Sequence, residues 1–304
     1  MSEQSKADFA LVIATLAAAM GWMFSGEVLK DMPPILFIGL RFLLAALLLL
    51  PLGLRVLARL DARALLKEVP TALVFALGLM SWILGLRYSQ HVGIGGFIIC
   101  LNALIAPLLA LAWGERPARL FWWSLPLALL GIVCLFGSNH FHFGRGEAWF
   151  VLAALLFALY LNLNAQATRR LPAVALVSLQ QGLVGVVTLT VSAFVEVWQL
   201  GTTQPLLSLW GWVAASILIS TCGRFVLQSW AQSRTTTGNA ALLLTLEPVW
   251  VAVLAMLWLG QGMSGLQALG CLLIFAAVLL SRSVAVLGWW RQRRWRSAAV
   301  KQPL

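Results

Sequence analysis

The chain has 304 residues, of which 61% are hydrophobic and 10% charged, with a mean hydropathy of +0.92 and a formal charge of +11. A soluble domain solvates its surface with about 25% Asp, Glu, Lys and Arg, so this composition excludes one and points to lipid surroundings. Disordered, collagen-like and disulfide-rich secreted classes are excluded by 25 Gly, 11 Pro and 4 Cys in an apolar background.

A helix needs roughly 20 apolar residues to cross the hydrocarbon core. Ten such runs follow in chain order: Phe9–Val28, Ile35–Val56, Val69–Leu86, Gly93–Trp113, Phe121–Gly137, Ala148–Gln166, Ala173–Val195, Leu209–Trp230, Asn239–Leu259 and Leu266–Leu287. The runs are continuous, whereas barrel strands would alternate, so the expected fold class is an all-α membrane protein with ten transmembrane helices. The first run is read as a span and not a signal peptide, because Glu3, Lys6 and Asp8 precede it and no polar cleavage region follows. Cys100, Cys134, Cys222 and Cys271 all fall inside runs and read as packing residues.

The basic residues orient this expected topology. With the N-terminus in the cytoplasm, fifteen of the 21 Lys and Arg lie on that side: Lys6, Arg55, Arg59, Arg63, Lys67, Arg116, Arg119, Arg169, Arg170, Arg234, Arg291, Arg293, Arg294, Arg296 and Lys301. The opposite side holds Lys30, Arg87 and Arg145, leaving Arg41, Arg224 and Arg282 within spans or at their ends. The expectation is an inner (plasma) membrane protein with both termini cytoplasmic. The positive charge is then a topology signal, and a nucleic-acid partner is not expected. The tail Arg291–Lys301 reads as an orientation signal that also meets anionic lipid.

The two halves share landmarks. Trp22 and Pro34 recur as Tyr160 and Pro172 at an offset of 138; Tyr88 and Pro107 recur as Trp230 and Pro248 at offsets of 142 and 141. The domain reading is a first repeat over 1–138, a second over 144–288 and a basic tail over 289–304. Five spans per copy is odd, so the second copy enters the membrane from the opposite side. That gives two inverted five-helix repeats, an arrangement suited to alternating access.

Further residues carry a family likeness. The first copy has Pro33-Pro34, Arg41-Phe42, Gly85-Leu86-Arg87-Tyr88, and Leu104 to Ala110 running to Gly114-Glu115-Arg116-Pro117. The second has Gly144–Glu147, Ala153–Tyr160, Thr245-Leu246-Glu247-Pro248-Val249 and Leu259-Gly260-Gln261. Over nearly its whole length the chain resembles the EamA family of the drug/metabolite transporter superfamily. The resemblance implies a ten-helix inner-membrane carrier, commonly an exporter of small metabolites, amino acids or drugs, driven by an ion gradient or by exchange. Three departures stand out. Gln261 occupies a position where the family usually has Glu. The spacing from Pro to Gly-Glu differs between halves, and Arg41 has no charged counterpart near Leu179 and Gln180.

Ionisable groups within spans survive only when paired or lining water. Arg41 lies seven residues inside the second span and Glu27 near the outer end of the first, so the two are read as a candidate ion pair at a gate or in packing, with substrate contact as the second reading. Arg224 and Glu247 reach similar depths on the eighth and ninth spans and form the most suggestive pair. Glu247 precedes Pro248, which frees a helix carbonyl, and a carboxylate at such a point suits proton binding and release. Protons or another ion are therefore candidate coupling partners, against the alternative of a structural ion pair.

The expected substrate lining is polar and aromatic: Asn102, Asn162, Gln180 and Gln228, with Trp22, Trp82, Tyr160 and Trp230 on the spans that line the central cavity in this family. Each also has a packing reading. Such a cavity suits apolar, aromatic or cationic small molecules. No Gly-Lys-Ser/Thr phosphate loop is present, His140 and His142 lack a third ligand, and no nucleophile clusters with His and acid. Neither enzyme activity, metal nor cofactor is expected. The alternatives in other classes are a solute channel and a membrane enzyme acting on lipid.

Overall fold

A computed structural model describes residues 3–57, 66–114, 121–136, 143–168, 173–201, 203–235, 240 and 243–281. The helices are α1 Glu3–Val28, α2 Pro34–Leu57, α3 Val69–Tyr88, α4 Val92–Cys100, α5 Asn102–Ala110 with a 3-10 turn Leu111–Trp113, and α6 Phe121–Phe136. They continue with α7 Arg145–Ala167, α8 Ala173–Val195, α9 Leu206–Ile217, a π-helical segment Leu218–Gly223, α10 Arg224–Gln232 and α11 Glu247–Leu259. The last is α12, Gly265–Ser281. Among the described residues there is no strand.

Among the described residues, seven stretches are long and apolar enough to cross a membrane: Ser5–Val28, Pro34–Pro51, Val69–Tyr88, Val92–Ala110, Arg145–Ala167, Ala175–Val195 and Leu206–Gln232. Three shorter apolar helices, Phe121–Cys134, Glu247–Leu259 and Gly265–Ser281, lie where the fifth, ninth and tenth runs were expected. Large apolar side chains such as Phe194, Leu207 and Leu257 are exposed at 86%, 87% and 76%, as lipid-facing groups would be.

Three runs expected to be continuous are not. The fourth breaks at Leu101 between α4 and α5, and the eighth contains the π segment. The ninth turns at Thr245 and Leu246 before α11 begins. Pro248 explains the last: it has no amide proton to give and its ring clashes with the carbonyl four residues back, so it sits in the first turn of a new helix. Arg59, Arg63, Arg116, Arg119, the His140 and His142 pair, Arg169, Arg170 and everything after Ser281 lie outside the described residues. That last stretch includes Arg282 and the tail Arg291–Lys301.

Packing brings the two halves of the sequence into one bundle. α2 runs antiparallel along α8, with Gly39 against Leu189, Leu43 against Gly185 and Ala46 near Gly182. A Cβ added at Gly185 would stand 2.6 Å from the Leu43 backbone nitrogen, so only glycine permits this approach. α3 packs on α7, and α1 packs on α9, the π segment and α10; α4 meets α11. Trp22, Trp82 and Phe150 form the aromatic heart of the main core, with Phe150 fully buried over Gly85 and Gly95.

Candidate functional site

Among the described residues Arg41 is the Lys or Arg that is buried, seven residues and about 10 Å along α2 from Pro34. It is 7% exposed. Its Nε donates to Thr221 Oγ1 at 2.8 Å and its Nη1 to Ser25 Oγ at 3.2 Å. Each hydroxyl has already committed its proton to a helix carbonyl: Thr221 to Ser216 at 3.0 Å and Ser25 to Gly21 at 2.5 Å. Their lone pairs are therefore the part left to face the guanidinium. The bond from Thr221 spans five residues, the π-helical repeat, so the hydroxyl helps to satisfy the backbone that the π segment opens. Phe37 and Phe42 flank the cation at 6.0 and 5.8 Å from their ring centres.

The expected pairing of Arg41 with Glu27 is not what forms. Glu27 sits one helical turn from Lys30 and bonds it at 2.6 Å, while also accepting from Trp258 Nε1 at 3.4 Å. Local geometry wins, since residues three apart on a helix face each other. Arg41 has no carboxylate within ion-pair distance among the described residues.

Arg224 and Glu247 do meet, Nη2 to Oε2 at 3.1 Å, with 35% and 27% of their side chains exposed. Glu247 occupies the first turn of α11, where the helix dipole favours a carboxylate. The pair is within Coulombic reach of Arg41, so the three charges form one cluster between α1, α2, α10 and α11.

The amides divide. Gln180, 2% exposed, accepts from the Tyr160 hydroxyl at 3.0 Å and donates to Asn164 Oδ1 at 3.0 Å, a chain joining α7 to α8. The Tyr160 ring stacks on Phe75 of α3 at 4.2 Å and 13°. Asn162 donates to Ala106 O of α5 at 2.9 Å and to Ala158 O at 3.0 Å. Asn102 stands immediately after the break at Leu101, half-buried, and Gln228 is half-buried on α10. Trp22 and Trp82 meet edge-on at 5.2 Å and are 5% and 7% exposed, so their rings belong to the core cluster. Trp230 lies apart, partly exposed, under the Arg234 guanidinium at 4.6 Å.

One end of the bundle is laced shut by bonds that the sequence reading missed. Glu196 takes the amide protons of Ile35 and Leu36 at 2.9 and 2.8 Å, capping α2 from the end of α8. Asp31 takes the Thr203 hydroxyl at 2.6 Å and its amide at 2.8 Å. Those bonds, the Thr203 hydroxyl first, hold the Asp31 carboxyl below its ordinary value of 3.8, against the opposing effect of burial. Arg87 bonds the Leu29 carbonyl, Glu147 takes the Ser89 hydroxyl at 2.8 Å, and Gln261 ties to Val92 and Gln90. Acids next to helix ends carried the signal for Glu196 and Glu147. The partners, some 160 residues away for Glu196, gave none.

A bundle of apolar helices with a few buried charges and closely packed halves defines a polytopic helical membrane protein. The profile of the EamA-like transporter family matches residues 5–137 and 144–283, one copy after the other, and the chain belongs to this family of membrane transporters. No curated protein matches the sequence. A solved structure, described only as a crystal structure of a protein, shares the fold with a TM-score of 0.64. Its identity is 18%, covering 92% of this chain and 98% of that one. The family implies a small-molecule substrate and a lipid bilayer.

Proposed function

We propose that the protein is a secondary-active carrier working by alternating access, with ten spans in two inverted five-helix repeats, and that it exports small metabolites, amino acids or drugs. The observation that carries this reading is the pattern of packing. Counting α4 with α5 and α9 with α10 as single spans, the first span packs on the eighth and the third on the sixth. Shifting each member by five spans turns the first of these contacts into the second. The second packs on the seventh and the fourth on the ninth, contacts that the same shift maps onto themselves. A pseudo-two-fold relation of this kind lets the halves exchange conformations and open alternately to each face.

The laced end carries Asp31, Glu196 and Gln261, and by the basic-residue distribution it faces away from the cytoplasm of an inner (plasma) membrane protein with both termini cytoplasmic. The conformation is then closed outward. Trp22, Trp82, Asn102, Tyr160, Asn162, Gln180, Gln228 and Trp230 remain the proposed lining, exposed as the halves part. Glu27 and Arg41 serve gating or binding, and Arg224 with Glu247 is the proposed proton-coupling pair.

Thermal-shift screening of the purified protein against amino acids, nucleosides, sugars and cationic drugs identifies a solute, and counterflow of that solute in proteoliposomes tests the carrier. Saturable counterflow that responds to a pH gradient is expected. Glu247→Gln should abolish the pH response. Transport in that variant with an undiminished pH dependence would remove the coupling assignment, and non-saturable flux would replace the carrier with a channel.

A further inference from the structure

Arg41 is a buried cation whose three nitrogens are unequally used. Nε and Nη1 bond hydroxyls, while Nη2 makes no hydrogen bond among the described residues. Beside it Ser220, 2% exposed, has a hydroxyl with no hydrogen-bond partner. Both groups border one point, the place where Gly21 lacks a side chain. A Cβ built there would lie 2.7 Å from Ser220 Cβ, 2.9 Å from Ser220 Oγ and 3.4 Å from Arg41 Nη2, so Gly21 lets α1 close directly onto the π segment beside the guanidinium. An unsatisfied donor of each kind, one charged and one neutral, thus meets at this contact of α1 with the π segment, which is closed in this conformation.

The charge balance points the same way. Arg224 is matched by Glu247, and the hydroxyls of Ser25 and Thr221 carry no charge to offset Arg41. The cluster therefore holds one positive charge in excess, within a segment where an unmatched charge is costly. The π segment that aims Thr221 and Ser220 at this place is itself a less favourable backbone arrangement, of a type concentrated at functional sites.

We propose that Arg41 Nη2 and Ser220 Oγ form an anion subsite on the transport path, opened where α1 parts from the π segment, and that the carried solute presents a singly charged oxyanion. The assignment rests on the carrier reading above and narrows its substrate class. Arg41 supplies charge and one donor, Ser220 supplies a second donor, and Phe37 and Phe42 flank the guanidinium. A carboxylate and the monoanion of a phosphate monoester share this chemistry.

The test uses full-length protein in detergent, with benzoate and inorganic phosphate as probes and neutral benzamide as control. A concentration-dependent rise in Tm is expected with at least one anion and not with benzamide, and which anion acts separates carboxylate from phosphate. Arg41→Gln should weaken apparent affinity by about ten- to hundredfold, as loss of a charge-assisted bond does. Ser220→Ala should weaken it by about two- to tenfold, and keeps the test informative if Arg41→Gln does not fold. No shift with either anion, equal stabilisation by benzamide, or undiminished binding by both variants would overturn the subsite. Saturable counterflow of a neutral or cationic solute, unchanged in Arg41→Gln, would overturn it while leaving the carrier standing. Anion binding without any counterflow would leave the subsite and remove the carrier.

Discussion

Gln261 and Val92 are joined across 169 positions of sequence: the Gln261 carboxamide oxygen takes the Val92 amide proton at 2.9 Å, at the first residue of α4. The same side chain donates through Nε2 to the Gln90 carbonyl at 2.8 Å. A carboxamide can do both, and a carboxylate cannot donate. The residue that departs from the family's usual Glu is therefore used for a property Glu lacks, and it fastens the link after α11 to the link before α4.

Removing that fastening is expected to cost stability. Gln261→Leu loses both bonds and leaves an amide proton of α4 without its cap, for a loss of about 1–2 kcal/mol. Thermal unfolding in one detergent at one protein concentration checks it, and a Tm equal to the parent's would mean that the two links are held by other contacts. Gln261→Glu should fall between the two, since it keeps the acceptor.

Phe150 over Gly95 gives a steric prediction. A Cβ added at Gly95 would stand 2.3 Å from the ring, so Gly95→Ala should destabilise by about 1–3 kcal/mol through overpacking. Combining it with Phe150→Leu should recover part of that loss. Additive effects of the two changes, measured as a double-mutant cycle, would show that the contact is not what limits this site.

The Arg224 and Glu247 pair should reveal itself as non-additivity. Arg224→Gln or Glu247→Gln alone strands one charge and should cost about 1–2 kcal/mol, less than in a dry core because both side chains keep some exposure to screen them. The double replacement should cost less than the two single ones together. Strict additivity in melting experiments would argue that the ion pair contributes nothing to folding.

Tyr160→Phe removes the hydroxyl that Gln180 accepts, leaving a buried carboxamide oxygen without that partner. A loss of about 1–3 kcal/mol is expected, with the Phe75 stacking retained. If transport also falls far beyond what the lost stability explains, the hydroxyl contacts solute as well as Gln180.

Asp31 sets an acid limit. Its carboxyl titrates below 3.8 in the folded protein and near that value when unfolded, so its contribution is fully present above the unfolded value and is lost as pH falls through the folded one. The Tm difference between the parent and Asp31→Asn should be constant from neutrality down to about pH 5 and shrink only in stronger acid. A difference that fades between pH 8 and 6 would contradict this.

What could be read from the sequence follows the range of the interactions. Apolar run length located most helices, because burial in lipid is a property of a segment by itself. Arg224 with Glu247 was legible because both lie at similar depths on consecutive spans. Glu27 with Arg41 was misread for the complementary reason: Lys30, one turn away, outcompetes a partner on another helix. The three interrupted helices were illegible in apolarity, since Leu101, the Leu218–Gly223 stretch and Thr245 sit in runs as hydrophobic as their neighbours. Only Pro248 betrayed its break. The hydroxyls of Ser25, Ser220 and Thr221 gave no signal, because small polar residues are common in membrane helices and acquire meaning from what lies opposite.

The π segment also leaves an arithmetic trace. Each π turn holds one residue more than the α turn it replaces. Between Pro172 and Trp230 the offset relating the two halves grows from 138 to 142, and the Leu218–Gly223 segment lies in that interval. The π segment accommodates one residue more than α-helical winding would, inside a span and not in a loop. Because the wider turn absorbs the extra residue, Arg224 and the rest of the span keep the angular phase they would have in an unbroken α-helix, and the local change falls on Ser220 and Thr221 inside the segment. Backbone winding within one helix, and not side-chain identity alone, sets the Thr221 hydroxyl against Arg41.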